Sequence, residues 1–413
     1  MIIEQEIRLQ IDKIEALIKP VIENVQQIEF QNQAKVLEAF RKHQVSDSDF
    51  NPTTGYGYDD YGRDKLEAVY ASVFGTEDAL VRPQLTSGTH AISTALFAVL
   101  RPGDELIYIT GAPYDTLHQV IGTEKHVPGS LTDFGISYRD IPLKADEIDM
   151  EAVEEAVTEQ TKVIAIQRSK GYDSRPSIPM AELADVIKKV RAIKQDVIIF
   201  VDNCYGEFVE LQEPTNLGAD LIAGSLIKNP GGGIARMGGY IAGKQDYIEM
   251  AANRLTAPGI GKEIGASIGM LQEMYQGLFL APHVVSEALC GAVFTSAFLA
   301  NQGFQTIPAY DAKRTDLIQS VTFATDEQMI AFCQAIQKYS PINSHVTPYP
   351  APMPGYQDSV IMAAGTFIQG ASLELTADGP IRPPYTAFVQ GGLTYNHVKM
   401  AVIQAAKELG REK

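Results

Sequence analysis

The sequence predicts an α/β fold built on a mainly parallel sheet, followed by a smaller α+β domain. Three observations carry that prediction. From about Ala79 onward, short apolar runs alternate with helical spacings, as strand–helix–strand units do. The runs at 79–82, 105–110, 163–167, 197–202 and 221–225 read as buried strands, rich in Val, Ile and Leu. Beyond residue 300 the pattern changes to a Pro/Tyr-rich loop over 339–356, a strand-like 373–376 and an amphipathic helix over 396–409.

Taken in order, residues 3–42 read as helical, with Ile7, Ile11, Ile14, Leu17 and Ile18 forming an apolar stripe. Pro20 is expected to break that helix, because proline removes a backbone donor and clashes with the preceding turn. A loop rich in Gly, Tyr and Asp spans 54–63, and helical spacing returns over 64–74. Helices over 89–100 and 180–191 separate the strands, and 250–300 reads as one long helical stretch rich in Ala, Gly and Met. The expected division is an N-terminal helical segment 1–50, a large α/β domain 51–295 and a smaller domain 296–413. A chain of 413 residues can bury cores of that size.

A formal charge of −17 argues against nucleic acid or an anionic membrane surface as a partner. The N-terminal stretch carries Glu4, Glu6, Asp12 and Glu15 and lacks the apolar core of a secretory signal. The weakly polar run 288–300 is short and rich in small residues for a bilayer span. Cys204, Cys290 and Cys333 show neither metal-ligand nor disulfide spacing. The expectation is a soluble, cytoplasmic protein with no metal site.

In parallel sheets ligands bind beyond the carboxyl ends of the strands, so the residues just past each run are the candidates. Ser87-Gly88-Thr89 joins a strand to a helix, where free amides and the helix dipole suit a phosphate. An ordinary Ser N-cap explains the same residues. Tyr114 follows the strand 105–110, where its ring could stack on a flat heterocycle or pack on its own turn. Asp202 ends one strand, and Lys228 follows the next, beside Ser225 and the glycines 231–233. Singly these are a turn acid and a solvated lysine. Together they suit pyridoxal phosphate, with the lysine forming a Schiff base and the carboxylate keeping the ring nitrogen protonated. Lys170 also follows a strand, but lacks a preceding Asp and the glycine run. His90 reads as a helix-start neighbour, since no other His lies near it at ligand spacing. A plain dinucleotide-binding fold is disfavoured, because no Gly-x-Gly-x-x-Gly opens a helix after a strand.

The segments Ser87-Gly88-Thr89-His90-Ala91-Ile92, Tyr114-Asp115-Thr116, Val201-Asp202-Asn203-Cys204 and Ser225-Leu226-Ile227-Lys228-Asn229-Pro230-Gly231-Gly232 resemble fold-type I pyridoxal phosphate enzymes of cysteine and methionine metabolism. The strings Gly-Tyr-Gly-Tyr-Asp-Asp, Ser-Gly-Thr-His-Ala and Pro-Tyr-Asp-Thr-Leu resemble most closely the methionine γ-lyase-like branch called aluminium-resistance proteins. The resemblance implies the aspartate aminotransferase-like fold and a carbon–sulfur lyase of the methionine γ-lyase or cystathionine lyase type. Other reactions on the same scaffold are γ-replacement, aldol-type cleavage, or a low-turnover regulatory role. It implies Lys228 as the Schiff-base lysine, Asp202 as the ring-nitrogen partner and Tyr114 as the stacking ring. Ser87, Gly88, Thr89 and Ser225 would hold the phosphate, with Cys204 beside the cofactor. It also implies a homodimer or homotetramer in which Tyr56, or next Tyr58, reaches a neighbouring subunit's phosphate. Arg382 is the first choice for the substrate carboxylate, with Arg168 and Arg236 as competitors. The chain departs from the pattern at Ile227, Cys204, Tyr56-Gly57-Tyr58 and Gln167–Tyr172.

Overall fold

The computed structural model describes residues 5–123, 126–173, 175–353 and 356–411. The first helix, α1 (Gln5–Lys42), precedes α2 (Tyr61–Phe74). The large sheet and its helices then follow as β1 (Asp78–Arg82), α3 (Gly88–Val99), β2 (Glu105–Tyr108), α4 (Asp115–Ile121) and β3 (Ser137–Asp140). Next come α5 (Met150–Ala156), β4 (Thr161–Gln167), α6 (Met180–Ile193), β5 (Ile198–Asp202), β6 (Leu221–Ser225), β7 (Gly239–Gly243) and α7 (Gln245–Leu255). The long α8 (Leu271–Asn301) leads to β8 (Gln305–Ile307), β9 (Gln319–Thr322) and α9 (Asp326–Lys338). The chain closes through β10 (Val360–Ala363), β11 (Thr376–Pro380), β12 (Thr386–Gln390) and α10 (Tyr395–Arg411).

The strands form two sheets. Seven run in the order β1-β7-β6-β5-β4-β2-β3, parallel except that β7 opposes both neighbours. Alternate residues of its central strands serve different cores, as the two-residue period of a strand demands. Ile164, Ile166, Ile199 and Val201 face one cluster, while Val163, Ala165, Ile198 and Phe200 face the other. The second sheet, β10-β11-β12-β9-β8, is antiparallel and packs with α9 and α10 over a third cluster. Helix α1 ties the two parts together. Its Ile14 and Ile18 belong to the third cluster, and its Val25 and Val36 to the first.

Three expected elements differ. Helix α1 runs through Pro20 without a break. Both Pro20 and Ala16 face water, so the carbonyl that loses its partner is solvated, while buried Ile18 and Val25 hold the helix on either side. The 250–300 stretch is two helices, because Gly259, Gly261, Gly265 and Gly269 all adopt positive φ between α7 and α8. The strand expected at 373–376 starts only at Thr376. Ahead of it the Glu374 carboxylate turns back to accept the amides of Phe367 and Ile368, which makes that segment a turn. Helix α8 is long and apolar enough to cross a membrane, yet 78% of its most apolar window is buried inside the protein.

Candidate active site

Strands β1, β2, β4, β5 and β6 share one direction, so their carboxyl ends meet along one edge of the sheet. The residues that follow them line a single cavity of 180 Å3, which includes Ser87, Tyr114, Gln167, Asp202, Ser225 and Lys228. Gly88, Thr89 and Cys204 line it as well. Parallel pairing brings together residues up to 141 positions apart in the chain (Ser87 to Lys228).

At the start of α3, the Ser87 hydroxyl accepts the His90 amide at 3.0 Å, so it does serve as the N-cap. The Gly88 and Thr89 amides precede the first intrahelical bond, and both residues line the cavity. A methyl on Gly88 would sit 3.2 Å from Ser225 Cβ and 3.4 Å from Cys204 Sγ, so glycine keeps that end open. Thr89 Oγ1 lies 3.0 Å from Thr116 Oγ1.

Asp202 is buried at the end of β5, and its Oδ1 accepts the Cys204 amide at 3.1 Å. Burial pushes its carboxyl upward, while Lys228, the Cys204 contacts and Arg175 pull the other way. Lys228 Nζ sits 4.2 Å from the centre of the Tyr205 ring. Burial disfavours its ammonium, but the acidic groups of Cys204, Tyr205, Asp202 and Glu207 outweigh burial and hold the proton on. Tyr205 reaches this position from a positive φ of 71°, a region that costs a non-glycine residue roughly 1–2 kcal/mol. Tyr114 is fixed by its amide, which donates to Gln167 Oε1 at 2.6 Å, and by a short hydroxyl contact to Tyr356. Burial, and then the neighbouring Tyr356 and Tyr205, push the Tyr114 hydroxyl far up, so it keeps its proton at neutral pH.

The family model described as methionine gamma-lyase matches residues 7–410. The chain belongs to the methionine gamma-lyase family. Within reach of this family it is similar to the uncharacterized Bacillus subtilis protein YnbB, 62% identical over 96% of this chain and 95% of that one. A solved Listeria innocua structure, described as a cystathionine beta-lyase candidate involved in aluminum resistance, is 60% identical with a TM-score of 0.96. That match covers 98% of this chain and 99% of that one. The L-methionine gamma-lyase of Pseudomonas putida is 34% identical over 45% of this chain and 41% of that one. The large mostly parallel sheet with its separate antiparallel sheet is the fold-type I architecture that the sequence resemblance implied.

The methionine gamma-lyase family site leaves several candidate residues outside the Lys228 cavity. Lys170 is buried, but its Nζ donates to Ser320 Oγ of β9 at 2.5 Å, beside the second sheet. Arg168 turns into the interior, bonding Thr315, Asn203 and the Gly206 carbonyl at 2.9–3.2 Å, with Glu210 and Glu213 within 3.7 Å. Arg236 pairs with Glu273 on the surface at 2.7 Å. Arg382 pairs with Asp358 at 3.0 Å and lines an adjoining cavity with Tyr114 and Lys170. Tyr56 is 69% exposed, and it stacks loosely on Tyr58 rather than lining the cavity of its own chain. Sequence reasoning missed Gln167, Tyr205 and Tyr356 as cavity or tyrosine-pair residues. Gln167 ends the strand-like run 163–167, and Tyr205 follows Asp202-Asn203-Cys204 directly, so both had a positional signal. Tyr356 had none, since only tertiary packing brings it to Tyr114.

Proposed function

We propose that the protein is a pyridoxal phosphate-dependent carbon–sulfur lyase acting on a sulfur-containing amino acid. The observation that carries this reading is one cavity lined by Lys228, Asp202 and Tyr114 together with Gly88 and Thr89 at the start of α3. The residues fit the cofactor, because the space that a Gly88 methyl would fill lies between the helix start, Ser225 and Cys204.

When bound, pyridoxal phosphate supplies an aldehyde that captures an amine and a ring that withdraws electrons from the α-carbon. Gly88 and Thr89 would hold its phosphate through backbone amides, assisted by the Ser87 and Ser225 hydroxyls. Asp202, its basicity raised by burial, would hold a proton at the ring nitrogen. Tyr114 would stack on the ring, and Cys204 lines the same cavity. Lys228 would serve as the general base toward the substrate's α-proton. The Tyr114 hydroxyl, still protonated, would deliver a proton to the sulfur as the C–S bond breaks. Arg382, at the mouth of the adjoining cavity, steers the substrate carboxylate inward. A homodimer or homotetramer in which Tyr56 completes a neighbour's phosphate seat, in the cytoplasm, belongs to the same reading.

The test is a substrate panel of cystathionine, methionine, homocysteine and cysteine, scored for keto acid and thiol. Release from at least one is expected. If none reacts while amino acids still shift the visible band, the lyase reading fails and another reaction on the same cofactor takes its place.

A further inference from the structure

We infer that the cleft beside the second sheet holds a carboxylate of the amino-acid substrate on Lys170. This rests on the reading above and deepens it, by assigning a recognition residue that differs in place from Arg382.

Lys170 is only 4% exposed, at the end of the Arg168-Ser169-Lys170 segment that leaves β4. An ammonium has three donors. Here one goes to the neutral Ser320 hydroxyl, and no carboxylate lies within 4.0 Å among the described residues. The acids near it are held by groups other than its ammonium. Asp316 accepts the Ser177 hydroxyl, the Ile318 amide and, at 3.4 Å, the backbone amide of Lys170, Asp378 accepts the Tyr172 hydroxyl and Gln390, and Asp173 lies 3.9 Å from Arg175. Burial disfavours the charged form of Lys170, and Arg175 and Arg314 add to that, against the pull of Asp316 and Asp173. A buried cation with an incomplete shell is costly unless an anion completes it.

The space around it has room for one. A cleft of 360 Å3 is lined by Lys170, Tyr172, Ser320, Thr322, Arg382 and Phe388 among others. It meets a second cavity of 240 Å3, which shares Lys170, Tyr172, Asp173 and Arg382 with the cleft. That second cavity also shares Tyr114 and Gln167 with the cavity of Lys228. A chain of spaces therefore leads from Lys228, past Tyr114, to Lys170. Arg382 stands at its outer rim, with its side chain 49% exposed and its charge already met by Asp358. The deeper cation is Lys170, which lies 5.8 Å from the centre of the Phe388 ring and has no carboxylate within 4.0 Å of its ammonium among the described residues.

The carboxylate could be the one on the α-carbon or one at the end of a side chain, and the two sources separate experimentally. Holoprotein is titrated with glutamate, glutamine and butylamine, following the visible band, in unaltered protein, Lys170→Met and Lys170→Arg. If a side-chain carboxylate sits on Lys170, Lys170→Met weakens glutamate about tenfold or more and spares glutamine and butylamine. If the α-carboxylate sits there, glutamate and glutamine both weaken about tenfold and butylamine does not. Lys170→Arg, which keeps the charge, retains much of the binding in either case. Equal behaviour of all three ligands, or a loss that includes butylamine, overturns the assignment. Should Lys170→Met fail to fold, unaltered protein that binds neither carboxylate probe better than butylamine overturns it as well. Protein that takes up no cofactor sinks the parent reading instead, and this one with it.

Discussion

Lys228 acquires its meaning from the side chains around it, and two of them, Asp202 and Glu207, offer residue-level tests. Asp202→Asn keeps the shape of the cavity but removes the charge that retains the ring proton. It is expected to bind cofactor and lose turnover by ~100-fold or more, as removal of one preorganised electrostatic partner does. Unchanged turnover would remove Asp202 from the mechanism. Glu207 is the second case. It is buried with one oxygen accepting Tyr240 at 2.8 Å and the other without a partner, and burial pushes its carboxyl up to about 8. Its folded-state pKa is raised, so its contribution to stability is full below about 4.5 and is lost as pH rises through about 8. Glu207→Gln removes that loss. Thermal melts across pH should show the variant gaining on the parent between pH 5 and pH 9, and parallel curves would contradict this. At this scale the sequence was legible where a residue's placement follows from its position after a strand, since Lys228, Asp202 and Tyr114 do line one cavity. It was silent where the role depends on packing. Tyr356 meets Tyr114 from 242 positions away, and nothing local marks it.

Elements were legible wherever periodicity is strong. Of the parallel strands, β1, β2, β4, β5 and β6 were anticipated within a few residues and the short β3 was not. Strand β7, Gly-Tyr-Ile-Ala-Gly, was missed, because its terminal glycines dilute the β-branched signal that marks its neighbours. Two element-scale tests follow from geometry. At the start of α3, Gly88→Val should crowd Ser225 and Cys204 while α3 still forms. Cofactor affinity should fall by about tenfold or more with far-ultraviolet dichroism unchanged, since the lost space corresponds to a displaced phosphate contact. Retained affinity would place the phosphate elsewhere. In α1, Pro20 sits inside a continuous helix, where proline costs up to about 3 kcal/mol relative to alanine. Pro20→Ala is therefore expected to raise the melting temperature, and a fall would show that the proline shapes a needed bend.

At the scale of the molecule, the two sheets enclose the route from Lys228 to Lys170, and α1 anchors both of their cores. The loop carrying Tyr56 is braced from the other side. The Gly265 amide donates to the Tyr56 carbonyl at 2.8 Å, and Arg63 donates to the Gly57 and Gly265 carbonyls at 2.8 and 3.1 Å. A braced, exposed tyrosine that does not line its own cavity suits service to a second copy of the chain. Mixing inactive Tyr56→Ala with inactive Lys228→Ala subunits should restore part of the activity, because some mixed sites would carry both residues. No recovery on mixing would confine Tyr56 to its own chain. The account as a whole rests on Lys228, and borohydride reduction of the cofactor-loaded protein followed by peptide mapping tests it most directly. A yellow protein whose reduced cofactor maps to Lys228 is the predicted result. A colourless protein unchanged by added pyridoxal phosphate, or a label on Lys170, would contradict it.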